Sequence, residues 1–333
     1  MLHKRQLLLL FALMLLFMGC SPSESDTARE LIAADYPAVD GSTSAHPLQR
    51  FIACDILEVP CAWSEMSLDN VQRTILPAPE VDINDEKARF IESIVHNGTH
   101  GGYMSVIEGQ ADFALVARAP SEDELQAADE LNVPLDVQPV ALDAFVFLVN
   151  VDNPVESLEI ETIRRIFTGE ITTWTELGVT IDPDAEGDEK IHAYQRNRNS
   201  GSQELMESLV MGELVMIDAP EMITTSMLGP LNAIGGNAWD GNGDTLGLGY
   251  SVYFYANFMF PHEYVRLVPI EGVAPTSENI AARTYPLFAE VSAVVREDMP
   301  ADSTAVILRD WLLTDDGQSV IEASGYVPIG SEK

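Results

Sequence analysis

Basic residues are scarce. Against 53 Asp and Glu the 333-residue chain carries only 18 Lys and Arg and 6 His, a formal net charge of −35. So few cations exclude nucleic acid and anionic membrane surfaces as main partners, because both are bound through Lys and Arg. Cysteine is scarcer still, at three, and no two are spaced as CxxC. A thiolate zinc site and a thioredoxin-type redox pair therefore have no support. Large apolar residues are not lacking: 46% of the chain is hydrophobic, which sets it apart from disordered acidic tails and suffices for a sizeable core. The length suggests two domains.

Lys4 and Arg5 are followed by an uninterrupted apolar run over residues 7–18, which ends at Gly19-Cys20-Ser21-Pro22. That run suits the core of a secretory signal and falls short of the roughly 20 residues that cross a bilayer. Residues 1–19 are therefore expected to be a signal peptide. Small Gly19 before Cys20 resembles the bacterial lipoprotein signal, in which the cysteine is lipidated and becomes the first mature residue. Phe17 stands where that signal usually has leucine, so a plain cleaved signal with an incidental cysteine stays open. The implied address is exported, anchored by lipid to the bacterial membrane and facing the periplasm or the cell exterior. Loss of residues 1–19 leaves 16 basic groups against 53 acidic ones, a net charge of −37. With Cys20 lipidated, Cys54 and Cys61 remain, seven apart in one segment, and a local disulfide is expected in an oxidising compartment. Residues 20–35 are small, polar and acidic and are expected to form a flexible, disordered tether.

Beyond the tether, short β-branched and aromatic runs alternate with amphipathic stretches, an α/β pattern. Strands are expected at 37–39, 111–116, 140–149, 191–195, 250–255 and 287–295. Helices are expected over 47–56, 89–95, 101–108, 158–167, 202–211, 305–313 and 317–324. Residues 182–190 read as a solvated acidic loop and the glycine-rich stretch 235–249 as a mobile one.

Two places share a design in which a strand ends in small hydroxyl residues that open a helix: Gly41-Ser42-Thr43-Ser44 and Ser200-Gly201-Ser202. Thr99-His100-Gly101-Gly102 is a third candidate. The first turn of a helix has unpaired backbone N–H groups and the positive end of the helix dipole, so each place can cradle an anion. Ser and Thr are also ordinary helix caps, and one such turn by itself is more simply read that way. Three of them, with Arg196 four residues before Ser200, point to an oxyanion site. Other constellations are weaker. His96 and His100 are four apart but carry no HExxH pattern, and Asp240, Asn242 and Asp244 lack the glycine and glutamate of a calcium loop. No G-x-S-x-G or S-x-x-K nucleophile motif is present. Neither a metal, a cofactor nor an enzymatic activity is expected.

The GST turn and the R-x-x-x-S-G-S segment together resemble the phosphate-binding proteins of Pst-type ABC transporters, members of the type II periplasmic binding protein fold. EGQADFALVARAPSEDEL at 108–125, ALDAFVFLVNVDNPV at 141–155, IRRIFTGEITTWTELG at 163–178, LGYSVYFYA at 248–256 and LRDWLLTDDGQSVIEASGYVPIG at 308–330 extend the match in the same order. The resemblance implies a two-lobed α/β protein, each lobe a mixed sheet flanked by helices, with the ligand cleft between them. Lobe 1 would take residues 36–137 and 265–333, and lobe 2 residues 138–264. It implies inorganic phosphate or a related tetrahedral oxyanion as ligand, an ABC transporter permease as partner, and a monomer. The ligand residues it implies are Ser42, Thr43, Ser44, Thr99, Arg196, Ser200, Gly201 and Ser202. The family usually has an acidic residue in the loop after the A-D-F strand, where it accepts the anion's proton. Arg118 stands there instead, either as a solvated surface charge or as a second cation on the anion, so phosphate versus sulfate stays open. An oxyanion sensor or surface interaction protein on the same fold is the alternative reading.

Overall fold

The computed structural model describes residues 24–66, 72–82, 84–182, 189–198, 200–236 and 241–330. The expected signal peptide, Cys20 and most of the acidic loop lie outside these residues.

Helix α1 (Glu24–Ala34) precedes strand β1 (Val39–Gly41), helix α2 (His46–Ile56) and a hairpin of β2 (Cys61–Trp63) and β3 (Ile75–Pro77). Then follow α3 (Glu86–Ser93), α4 (Gly98–Ile107), β4 (Phe113–Val116), α5 (Glu122–Leu131), β5 (Leu135–Asn150) and α6 (Ile160–Phe167). The middle of the chain supplies β6 (His192–Ala193), β7 (Gln195–Arg196), α7 (Gly201–Leu205, continued as a π-helix over Met206–Met211), β8 (Ile223–Thr224), α8 (Leu228–Gly235) and β9 (Gly247–Val252). β10 (Val265–Val268), α9 (Ser277–Ala281), β11 (Phe288–Arg296), α10 (Thr304–Leu312), α11 (Asp315–Ser324) and β12 (Val327–Pro328) complete it.

The main sheet runs β1-β4-β11-β5-β9-β6, with β10 and β12 also paired to β5. β1 with β4 and β6 with β9 are parallel, while β11, β9 and β10 are antiparallel to β5. β5 is the reason one sheet serves two lobes. Its first part, from Leu135 to Ala144, pairs with β11, and Phe145 to Asn150 pair with β9 and β10. The run VALDAFVFLV is buried on both faces, as suits a strand covered by helices on each side. Pro139 interrupts the ladder because it has no N–H, and the register shifts opposite it at Val291/Ser292.

Where the β11 pairing of β5 gives way to β9 and β10, the Leu287 carbonyl accepts from Phe145 N at 2.8 Å. Asp143 sits beside this junction, 2% exposed, with Oδ1 accepting from Ala144 N at 2.8 Å and Phe254 N at 3.0 Å.

The expected tether is instead partly structured. α1 docks on the body through buried Ile32, with Ala28 and Ala33 on the same packed surface. Arg29 donates to Asp55 Oδ2 at 2.6 Å, and Trp311 Nε1 donates to Ser25 Oγ at 3.1 Å. Polar composition concealed a helix whose apolar side chains are few but well placed. Sequence reading also missed α5, although Ser121 and Glu124 form a capping box at its start. The glycine-rich stretch begins at the last residue of α8 and ends in the first residues of β9, and the described residues between them, 236 and 241–246, are in neither helix nor strand. The β2–β3 hairpin carries Cys61 back to α2, where it is bonded to Cys54 with a Cα–Cα distance of 6.1 Å.

Ile32→Ala is expected to lower the unfolding free energy by about 2–4 kcal/mol in urea denaturation, and an unchanged midpoint would mean that α1 is not docked. Asp143 gives a pH test. Burial pushes its carboxyl up to about 7, against the pull of the Phe254 and Ala144 amides. Below about pH 4 the group is neutral in both folded and unfolded chains. As pH rises towards 7 only the unfolded chain releases its proton, so folding loses stability over that window. Asp143→Asn is therefore expected to exceed the wild type in stability at pH 8 by up to about 4 kcal/mol and not at pH 3.5. The same difference at both pH values would contradict it.

Candidate anion-binding cleft

The first wall of the cleft is built on Asp40, at the end of β1. Its buried carboxylate accepts from Gly41 N at 2.7 Å, Asn97 N at 3.0 Å, Asn97 Nδ2 at 2.7 Å and Ser105 Oγ at 2.5 Å. One side chain thus ties the turn before α2 to the start of α4. The two backbones also touch: a Cβ on Gly102 would lie 2.8 Å from the Gly41 Cα, so glycine is needed for that approach. Ser42 N donates to the Leu115 carbonyl at 2.8 Å, and the Ser42 and Ser44 hydroxyls are 3.3 Å apart. Neither helix that starts here has a side-chain cap: Ala45 stands at the cap of α2, and Asn97, at the cap of α4, spends its amide on Asp40. At α2 the Ala45 N–H donates to Ser42 Oγ at 3.2 Å and Pro47 has no N–H, and the remaining first-turn amides of the two helices receive no side-chain cap.

The second wall carries Arg196, 6% exposed, at the end of β7. Its Nη1 donates to Ser202 Oγ at 2.9 Å, its Nε to the Thr224 carbonyl at 3.3 Å, and its backbone N–H to Tyr250 Oη at 2.9 Å. Among the described residues no carboxylate pairs with it. Burial accordingly weakens its hold on the proton, with only Tyr250 and Tyr255 acting the other way. Ser200 caps α7 by accepting from Gln203 N at 3.2 Å, and a Cβ on Gly201 would lie 3.0 Å from Thr99 Oγ1 of the opposite lobe. The two lobes are closed on each other at this point.

Between the walls lies a cavity of about 220 Å³, lined by Ser42, Thr43, Ser44, Thr99, Arg196, Ser200, Gly201 and Ser202. The volume is below the roughly 300–1,000 Å³ of sites for drug-sized molecules and suits a compact ion. His100, inside the third candidate turn, also lines it, as do Asn97, Asn197 and Thr225, which sequence reading passed over. Asn97 stands next to that hydroxyl-glycine turn, and Asn197 fills an unspecified place in the R-x-x-x-S-G-S segment. Among the described residues no carboxylate lines the cavity, and those that do line it offer an oxyanion donors and hydroxyls.

A model of the PBP superfamily domain matches residues 85–314. The chain belongs to the PBP superfamily. Among curated relatives, the phosphate-binding protein PstS of Staphylococcus haemolyticus is 27% identical over 237 residues, 69% of each chain. The Staphylococcus aureus PstS is 27% identical over 238 residues, 69% of this chain and 67% of its own. The fold is also that of a Vibrio cholerae ABC-type phosphate transport receptor (TM-score 0.58, 23% identity, 87% and 98% of the two chains). A Clostridium perfringens substrate-binding protein solved with bound phosphate is similar too (TM-score 0.59, 21% identity, 88% and 98%).

Arg118 departs from both roles considered for it on this PBP scaffold. It is neither solvated nor in the cavity. Only 8% exposed, it donates to Glu124 through Nη1 at 2.8 Å and Nη2 at 2.7 Å and lies against Glu204 of α7. Burial works against its charge, and the two carboxylates more than offset that. The resemblance left it either in solvent or beside the anion, and the capping glutamate of an unforeseen helix holds it instead. His96 and His100 likewise separate: His96 packs on the His46 ring with centroids 4.6 Å apart, and His100 Nδ1 donates to Glu124 at 3.0 Å. Asp244 accepts from His192 Nδ1 at 2.6 Å and Tyr194 Oη at 2.8 Å.

Asp40→Ala leaves the Asn97 amide and the Ser105 hydroxyl without partners. It is expected to cost roughly 3 kcal/mol of stability in chemical denaturation, and a loss below roughly 1 kcal/mol would contradict its role as the tie between turn and helix.

Proposed function

We propose that the protein binds inorganic phosphate between its two lobes and hands it to the permease of an ABC transporter, acting by binding and not by catalysis. The observation that carries this reading is the meeting of two uncapped helix starts with buried, carboxylate-free Arg196 around one small cavity. The helix amides and dipoles act on the first face of the anion. Arg196, Ser200, Gly201 and Ser202 act on the other, where a charge-assisted grip in a dry site is strongest. The names of the Staphylococcus relatives and the phosphate bound in the Clostridium perfringens structure support phosphate among oxyanions. Export and anchorage through lipid on Cys20, with the chain as a monomer, complete the proposal.

Because no carboxylate among the described residues lines the cavity, the proton of a monobasic or dibasic phosphate must be accepted by a hydroxyl, an amide oxygen or the free ring nitrogen of His100. Discrimination against sulfate then rests on those weaker acceptors. Arg196→Ala is expected to weaken phosphate binding at least roughly 100-fold in isothermal titration calorimetry, the loss of about 3 kcal/mol. Unchanged affinity would overturn the site. A wild-type chain that shows no heat and no thermal shift with millimolar phosphate or sulfate would overturn the function itself.

A further inference from the structure

The lobes also meet through a group of charges just outside the anion cavity. Arg118, at the end of β4, is held from three sides within the first lobe. Tyr103 Oη donates to its carbonyl at 2.9 Å, the Tyr103 ring lies 5.7 Å from the guanidinium, and Glu124 takes both terminal nitrogens. Glu124 is fully buried and is itself fixed by Ser121 N at 2.8 Å and by His100, which lines the cavity. One edge of the guanidinium remains, and Nε faces Glu204 of the second lobe. Glu204 rides on α7 three residues after Gly201, and so moves with the helix start that closes over Thr99. On the far side both Arg118 and Glu204 line an outer cleft of about 1230 Å³, and Leu205 lines the outer cleft and the anion cavity alike.

We infer that the Arg118–Glu204 contact is an inter-lobe latch, which holds the first turn of α7 over the anion cavity and sets how long a bound anion is retained without touching it. The argument is one of differential contact. Glu124 alone neutralises Arg118, and that pair lies inside one lobe, so it survives when the lobes part. Glu204 is 23% exposed even in the closed form and returns to water at little cost. Its bond to Arg118 therefore belongs to the closed state only, and such a contact shifts a two-state equilibrium. Arg118 and Glu204 are positioning residues, acting through α7. The latch rests on the two-lobed fold, and only its kinetic consequence rests on the phosphate reading.

Glu204→Gln in the mature chain tests it, because glutamine keeps the size and removes the charge. Stopped-flow measurement with inorganic phosphate is expected to show a release rate raised roughly tenfold, with the association rate and the ligand-free melting temperature little changed. A purely structural role would lower the melting temperature and leave the release rate as it was, and that result overturns the latch. Small-angle scattering without ligand is independent of the phosphate reading. The radius of gyration of ligand-free Glu204→Gln and of Glu204→Arg is expected to exceed that of the wild type, and identical profiles overturn the latch. A wild-type chain that fails to bind phosphate yet opens on these substitutions refutes the proposed function and leaves the latch standing.

Discussion

A small anion taken out of water has to be held by groups with no competing partner inside the protein, and the cleft is organised around that requirement. Helix starts normally satisfy their own amides with a cap. Here α2 begins behind Ala45, and the asparagine before α4 is diverted to Asp40. Arg196 is buried without a carboxylate, an arrangement that is costly unless a ligand completes it. Asp40 and the Gly41–Gly102 approach hold the first set of open donors in place, and β7 and α7 hold the second. The sheet brings the two sets together because β5 belongs to both lobes.

The net charge of −35 is unhelpful to an anionic ligand at long range, so attraction has to be local. The structure separates the two demands. Among the described residues no carboxylate lines the cavity, and Asp40 is engaged by four donors, Glu124 by Arg118 and His100, and Glu204 by Arg118. Arg118 is thus occupied with carboxylates outside the cavity, and Arg196 is the arginine among the described residues that lines it.

Much of the cavity lining was legible because hydroxyl-glycine turns and the R-x-x-x-S-G-S spacing are local features. Ser42 to Ser44, Thr99, Arg196 and Ser200 to Ser202 could all be named from residues a few places apart, since a strand end and the helix after it are neighbours in sequence. Arg118 went astray for the opposite reason. Its partners Glu124 and Glu204 lie on separate elements, one of them a helix not foreseen, and spacing along the chain carries no information about which carboxylate a guanidinium will reach. Asn97, Asn197 and Thr225 escaped notice because only folding turns ordinary polar residues into a lining.

The sequence by itself determined that the chain is an acidic α/β protein with anion-cradling helix starts, because composition, periodicity and short-range turn chemistry are properties of neighbouring residues. The tertiary structure alone decided that α1 docks instead of trailing, that β5 pairs with β11 along one part and with β9 and β10 along the other, and that Arg118 pairs with Glu124 and Glu204 rather than lining the cavity. Each of these depends on contacts between residues far apart in the chain, from Arg29 with Asp55 to Phe145 with Leu287 and Arg118 with Glu204. Such contacts are selected by packing and burial of the whole molecule, which no local pattern records.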